Sequence, residues 1–132
     1  MKKILTITAS LLMLLTLAPS LKAQEFSAGL DIYSSYIWRG LKFGTGAAFQ
    51  PSVKFTAGGL TIGGWGSYST GSEEAPEADL YAGYTFGLGE NASLGVTLTD
   101  YYFPGTPYFD GNSHYFEPMV TAALGKLSLT AA

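Results

Sequence analysis

The sequence contains no cysteine. This absence excludes disulfide cross-links, thiolate metal sites and the lipid-modified cysteine of a bacterial lipoprotein. An exported chain of this composition must hold its fold by other means.

Charged side chains are also scarce, at 13% of the residues, about half the ~25% typical of soluble domains. Aromatic residues reach 14% and there are 17 glycines, a mixture that suits a wall between lipid and water. Without the leader described next, the basic residues are Arg39, Lys42, Lys54 and Lys126, against ten acidic ones. This balance argues against a nucleic-acid partner.

No hydrophobic run reaches the ~20 residues that a membrane-spanning helix needs. The longest covers residues 4–17, follows two lysines and is succeeded by the small residue Ala23, a pattern typical of a secretory signal peptide. The sequence therefore predicts a signal peptide at residues 1–23, a mature chain beginning near Gln24, and no transmembrane helix within that chain.

Apolar and polar residues alternate along the mature chain with a period of two, which indicates strands. In one segment, Leu80 and Ala82 share a face, while Asp79 and Tyr81 share the other. The pattern predicts seven strands, at residues 26–39, 49–57, 60–69, 77–86, 92–103, 113–122 and from 127 onward. No amphipathic helix competes with them.

The third of these segments departs from strict alternation. Trp65 is out of step with Leu60 and Ile62, and two glycines lie between them and the tryptophan. We therefore expect a β-bulge near Gly63 and Gly64.

Short and long connections alternate along the chain. Tight turns are predicted at residues 58–59, 87–91 and 125–126, and longer loops at 40–47, 70–76 and 104–112. Outer-membrane barrels show this asymmetry, and lipid requires every backbone N–H and C=O group to be paired, which strands achieve only in a closed sheet. Residues 24–132 are thus predicted to form an all-β, antiparallel up-and-down transmembrane β-barrel. Bacterial single-chain barrels have an even number of strands, so the count of seven predicts a truncated one.

Aromatic residues gather near the strand ends predicted to face outward. Such a girdle lies at the level of the lipid headgroups, and its predicted members are Tyr36, Trp38, Tyr68, Tyr101, Tyr102, Phe103, Tyr115 and Phe116. The alternative is that these rings form the core of a soluble β-sandwich or lipocalin-like barrel. Which face of the strands is apolar discriminates the two.

Five short motifs occur in a distinctive order. They are YIWRG at 36–40, QP at 50–51, GWGS at 64–67, EADLYAGY at 77–84 and DYYFPG at 100–105. Together they resemble the TorF-type porin family of exported bacterial proteins, over residues 26–118. The resemblance implies an outer-membrane barrel with more strands than are present here, and it supplies no catalytic residues.

The alternation assigns a set of polar side chains to the inside of the barrel. This predicted lumen-lining set is Asp31, Tyr33, Arg39, Gln50, Lys54, Glu77, Asp79, Tyr81 and Glu117. One hypothesis is a weak cation preference, because acidic groups outnumber basic ones. The other is cross-strand charge pairing that fills a narrow interior, for example Arg39 or Lys54 with Asp31 or Glu77.

Candidate catalytic and metal sites are weak. Glu73, Glu74 and Glu77 could gather a divalent cation but are typical of a solvated loop, and residues 110–113 are typical of a turn. His114 cannot pair with Ser113, because adjacent strand residues point to opposite faces. We predict no enzyme activity, no cofactor and no metal.

The leading prediction is a porin in the cell outer membrane that allows passive diffusion of small solutes, with membrane lipid and lipopolysaccharide as its surroundings. The first alternative is a non-conducting structural or adhesive barrel. The second is a soluble periplasmic ligand-binding β-barrel. The transported substrate and the oligomeric state do not follow from the sequence.

Overall fold

The computed structural model describes residues 24–71 and 76–132. This part of the chain is built from strands and one short 3₁₀ turn at Gly111–Ser113. The strands are β1 (Gln24–Tyr33), β2 (Tyr36–Trp38), β3 (Leu41–Phe43), β4 (Ala48–Ala57), β5 (Leu60–Ser69), β6 (Glu77–Gly87), β7 (Ala92–Tyr102), β8 (His114–Leu124) and β9 (Leu127–Ala131). The predicted signal peptide, residues 1–23, lies outside the described residues, as do Glu73 and Glu74.

Within the two described ranges, no helix has the length and apolar composition to cross a membrane.

Seven strands form one antiparallel sheet in the order β1-β4-β5-β6-β7-β8-β9. Apart from the β2–β3 hairpin, each strand pairs with its neighbour in sequence, so the sheet is an up-and-down meander. The predicted all-β antiparallel architecture is confirmed. In the described residues the sheet is open, with β1 and β9 as its edges, and it does not close into a barrel.

Short and long connections lie at opposite ends of this sheet, as the sequence predicts. Residues 58–59, 88–91 and 125–126 join strands at one end, and residues 34–47 and 103–113 join them at the other, where β5 also ends and β6 begins. Gly58 and Gly125 have φ angles of 59° and 58°. A two-residue hairpin turn needs this left-handed conformation, which glycine adopts without steric cost.

The first strand is shorter than the alternation predicts. It ends at Tyr33 rather than continuing to Arg39, and residues 36–43 form a separate hairpin in which Trp38 pairs with Leu41. Arg39 and Gly40 make the turn with φ angles of 48° and 81°, the pair of positive values typical of a type I′ turn.

The predicted bulge in β5 is wrong. Trp65 pairs with Asp79 of β6 and with Ser52 of β4, and the register is continuous through Gly63 and Gly64. Trp65 therefore lies on the polar side of an unbroken strand. A Cβ atom on Gly63 would collide with the ring of Tyr81, so the glycine provides space for a large neighbour rather than an extra residue.

The two faces of the seven-stranded sheet differ in chemistry and in exposure. The polar face carries Gln50, Glu77 and Asp79, all of which are buried. The opposite, apolar face carries large side chains that are exposed, such as Phe26 at 70% and Leu30 at 59%. Other exposed members of the apolar face are Ile32, Phe49, Val53, Ile62, Leu80, Tyr84, Phe86, Val96, Leu98, Phe116, Val120, Leu124 and Leu129. Burial is inverted relative to a water-soluble domain.

Candidate binding site on the polar face

The β2–β3 hairpin folds back over the polar face and brings aromatic rings together. The ring centroid of Tyr36 lies 5.4 Å from that of Trp65 in β5 and 5.3 Å from that of Phe43 in β3. Trp38 packs edge-on against Tyr101 of β7, with centroids 6.0 Å apart. Two rings of the hairpin therefore stand over two rings of the sheet.

Asp79 lies in the sheet between Trp65 and Tyr101. It pairs directly with Trp65 on one side and with Tyr101 on the other. The residue is 8% exposed, and in the described structure its Oδ1 atom is buried without a hydrogen-bond partner. Because a buried polar atom without a partner costs free energy, a ligand that reached Oδ1 would gain a contact that the protein leaves unmade.

Glu117 of β8 joins the hairpin to the sheet. Arg39 donates from Nη2 to Oε2 of Glu117 at 2.8 Å, and the hydroxyl of Tyr101 donates to Oε1 at 2.9 Å. The Arg39 guanidinium carbon also lies 4.1 Å from the ring centroid of Trp38, a cation–π contact. Arg39 is thus already engaged by an acid and a ring.

Tyr36 belongs to the hairpin, outside the seven-stranded sheet. Burial raises the pKa of Tyr36 well above its ordinary value of 10.0, and a hydrogen bond to Glu77 and the charges of Glu77 and Asp79 act in the same direction. Glu77 is itself only 4% exposed. Burial beside these acids therefore favours the protonated form of the Tyr36 hydroxyl.

Two of the cavities beside the hairpin in the described structure share aromatic walls. The smaller, of about 190 Å³, is lined by Tyr36, Trp38, Trp65, Asp79 and Tyr101. The larger, of about 530 Å³, shares three of these rings and extends past Glu77 and Glu117. We call the five residues that line the smaller cavity the aromatic box.

Comparison with known proteins gives a family and no activity. Residues 18–131 match the model of a family described as "Bacterial protein of unknown function (Gcw_chp)". The chain belongs to this family. No curated protein and no solved structure matches it. Any function of this Gcw_chp chain must therefore be argued from its own residues.

Four members of the predicted lumen-lining set meet under the hairpin. Arg39 and Glu117 form an ion pair, Asp79 belongs to the aromatic box, and Glu77 lines the larger cavity beside it. The predicted pairing of Arg39 with Asp31 or Glu77 is replaced in the structure by its bond to Glu117.

The remaining members of the set are spread over the polar face. Gln50 is buried and donates to the Ser67 hydroxyl at 3.3 Å. Lys54 and Tyr81 lie on either side of Gly63 in one row across the strands. Asp31 and Tyr33 lie exposed on the edge strand β1.

The predicted girdle residues do not share one face of the Gcw_chp sheet. Tyr36, Trp38 and Tyr101 belong to the aromatic box, on the polar side. Tyr115 pairs with Tyr101 and has the same side, and Phe103 packs against Tyr115 with ring centroids 5.9 Å apart.

The apolar face holds the other three predicted girdle residues, Tyr68, Tyr102 and Phe116. Tyr68 pairs with Phe49, and Phe116 pairs with Asp100. Tyr102 pairs with Ala78 on one side and with His114 on the other. The hairpin explains the side of Tyr36 and Trp38, because residues 36–38 leave the line of β1 and turn back over the sheet. Tyr101 and Tyr115 lie on the polar side because they are in register with Asp79.

His114 begins β8 on the apolar face. Its Nδ1 lies 2.9 Å from both carboxylate oxygens of Asp100, and its Nε2 contacts the backbone carbonyl of Tyr108. Its ring stacks on Tyr102 at 5.3 Å and on Phe116 at 6.2 Å. With both ring nitrogens occupied by acceptors, His114 has no nitrogen free to activate a serine.

The described residues hold no group of three or more His, Cys, Asp or Glu side chains that could bind a metal ion. The acids near the aromatic box are instead surrounded by rings and by Arg39. Sequence reasoning missed Trp65 as a site residue because its parity was interpreted as a bulge. With a continuous register, Trp65 lies in one row across the strands with Asp79 and Tyr101. That alignment would have predicted Trp65 as a site residue.

Proposed function

We propose that this chain forms part of the wall of an outer-membrane β-barrel in a Gram-negative bacterium, through which small solutes diffuse passively. The observation that carries the proposal is inverted burial. Phe26 and Leu30 are exposed while Glu77 and Asp79 are buried. Contiguous exposed apolar area of this kind marks contact with lipid or with another protein, and alternation of apolar-out and polar-in is the pattern of a membrane barrel.

Strand length fits the same proposal. Five strands of the sheet, namely β4, β5, β6, β7 and β8, have 10 or 11 residues each, and β1 has 10. A tilted strand needs ~9–11 residues to cross the hydrocarbon layer. The division into short turns at one end and long loops at the other also matches such barrels.

A sheet edge cannot be left unpaired in lipid. The proposal therefore requires that β1 and β9 pair with further strands, from the same protein or from neighbouring copies. The predicted signal peptide supplies the export step, and the resemblance to TorF-type porins supports the assignment.

Detergent extraction and gel migration test whether the protein is a membrane barrel. The chain without its leader should need detergent for extraction and should migrate differently on gels with and without heating, as folded barrels do. A protein that stays in aqueous solution as a folded monomer without detergent would be a soluble periplasmic binding barrel instead.

Conduction is tested separately from the barrel. In planar bilayers we expect stepwise current, larger for cations than for anions because acids outnumber bases on the polar face. A heat-modifiable, membrane-inserted protein with no current above the blank would be the non-conducting structural or adhesive barrel.

A further inference from the structure

We propose that the aromatic box is a binding site for a small organic ammonium cation, whose positive charge faces the Asp79 carboxylate while its alkyl groups contact Tyr36, Trp38, Trp65 and Tyr101. The site belongs to the folded protein and does not depend on conduction. Its consequence for transport, a preference for such cations among solutes, rests on the proposed function.

The first step of the argument is the unmade contact of Asp79. The residue is 8% exposed and lines the smaller cavity, and its buried Oδ1 atom has no hydrogen-bond partner among the described residues. A buried charge is stable only when paired. Its in-sheet neighbours are the rings of Trp65 and Tyr101 rather than basic groups, so these neighbours supply no countercharge.

Arg39 is the basic group of the hairpin nearest to this cluster, and it is engaged elsewhere. Its guanidinium bonds Glu117 at 2.8 Å and stacks over Trp38. The lining of the smaller cavity does not include it. Arg39 therefore leaves the Asp79 carboxyl group available to a ligand.

The chemistry of the walls selects the kind of cation. The cavity is lined by four aromatic rings and one carboxyl group, the kind of lining with which proteins recognise ammonium groups that carry alkyl substituents. A hard metal ion needs about six to eight oxygen ligands, and the described residues offer no cluster of acids or histidines that could hold one. The box therefore favours an alkylated ammonium over a metal ion.

The size of the cavity is consistent with a small head group. Its volume of about 190 Å³ corresponds to roughly six water molecules at ~30 Å³ each. The larger cavity beside it, lined in part by Glu77 and Glu117, leaves room for the remainder of the molecule.

Fluorescence can report binding directly, because both tryptophans of the sequence, Trp38 and Trp65, line the box. The full mature chain, folded in a non-ionic maltoside detergent, is titrated with choline. Phosphocholine and amine-oxide detergents are avoided since their head groups would compete. The neutral isostere 3,3-dimethylbutan-1-ol, in which carbon replaces the ammonium nitrogen, is titrated in parallel, and calcium chloride is a third arm.

We expect saturable quenching by choline, at least tenfold weaker binding of the neutral isostere, and no saturable response to calcium. Asp79→Asn should weaken choline binding at least tenfold. Asp31→Asn, an acid on the same face but exposed on β1, should leave it unchanged. Equal responses to choline and its isostere, a response to calcium alone, or unchanged affinity in Asp79→Asn would each overturn the proposal.

A second variant covers the case in which Asp79→Asn fails to fold. Trp38→Leu removes one wall of the box from the hairpin and leaves the seven-stranded sheet intact, and Trp65 still reports. It should weaken choline binding severalfold, and unchanged affinity would count against the box. Choline binding without bilayer current would contradict the proposed pore and support the site. Bilayer current without choline binding would support the pore and contradict the site.

Discussion

The guanidinium of Arg39 and the carboxylate of Glu117 are 78 residues apart in sequence and meet at 2.8 Å. The pair links the tip of the β2–β3 hairpin to β8, the sixth strand of the sheet. Through it the hairpin spans the polar face instead of extending from β1. This ion pair therefore holds the hairpin over the aromatic box together with the ring contacts of Tyr36 with Trp65 and of Trp38 with Tyr101.

Replacing Arg39 with Gln should loosen the hairpin with little loss of global stability. The Arg39 side chain is about half exposed, and exposed ion pairs contribute only about 0.2–1 kcal/mol. Urea unfolding should shift by no more than that, while limited proteolysis within residues 36–43 becomes faster. Lys42→Gln in the same hairpin is the control, and equal proteolysis of the two variants would contradict the tie to Glu117.

Charge on the apolar face should prevent insertion, and charge on the polar face should not. Leu98→Lys places a lysine among the exposed apolar side chains of β7, and such a change costs about 2–4 kcal/mol near the bilayer midplane. Thr97→Lys, one residue away, points to the opposite face. Folding into lipid vesicles, followed by heat-modifiable gel migration, should fail for the first variant and proceed for the second. The opposite order would reverse the assignment of the faces.

The alternation of apolar and polar residues was enough to predict β4 to β9 and the opposite ends of the short and long connections. This works because a strand between two media exposes every second side chain to each. The alternation did not predict that β1 ends at Tyr33. Tyr36 and Trp38 continue the pattern of apolar residues at every second position that includes Ile32, so the sequence shows no break there. The turn at Arg39 carries no asparagine or aspartate before its glycine, so the usual type I′ signal is absent.

The candidate site was only half visible in the sequence for a related reason. Glu77, Asp79 and Glu117 could be assigned to the polar face from parity alone. Their enclosure by rings depends on the hairpin crossing the sheet, which brings Tyr36 onto Trp65. A contact between segments so far apart in the chain does not change the alternation of polar and apolar residues in either segment, so the sequence pattern does not predict it.

Glycine at position 63 should be required for the packing of Tyr81. A Cβ atom there would meet the Tyr81 ring and the backbone oxygen of Val53, so Gly63→Ala should destabilise the protein by about 1–3 kcal/mol. Gly87→Ala is the matched control, because nothing lies within 4 Å of the added Cβ. Urea midpoints in detergent measure both. Removing the ring as well, in Gly63→Ala with Tyr81→Ala, should cost less than the sum of the two single changes.

Alkaline pH should destabilise the hairpin through Tyr36. Because the pKa of Tyr36 is raised in the folded protein, chiefly by burial, its contribution is complete below pH ~10 and is lost as pH rises above the pKa of the unfolded chain. Stability measured at pH 8 and at pH 11 should therefore fall more in the native protein than in Tyr36→Phe. An equal fall in both would show that Tyr36 titrates normally.

Removing the His114 side chain should free the connection between β7 and β8. His114 holds this segment through the carbonyl of Tyr108 and is itself held by Asp100. Chymotrypsin should then cleave faster near Phe109, whose side chain is 99% exposed, in His114→Ala. Asp100→Asn should act in the same direction and more weakly, since the Tyr108 contact remains. Cleavage at the native rate in both variants would mean that the segment is held by other contacts.

The hairpin forms its own two-stranded sheet and adds no strand to the larger one. Two of the four rings of the aromatic box, Tyr36 and Trp38, are therefore encoded outside the strands of the larger sheet, whereas Trp65, Asp79 and Tyr101 belong to it. Substitutions at residues 36–43 change part of the lining of the box without replacing any residue that pairs within the seven-stranded sheet. This segment is therefore the place to alter the proposed site by protein engineering.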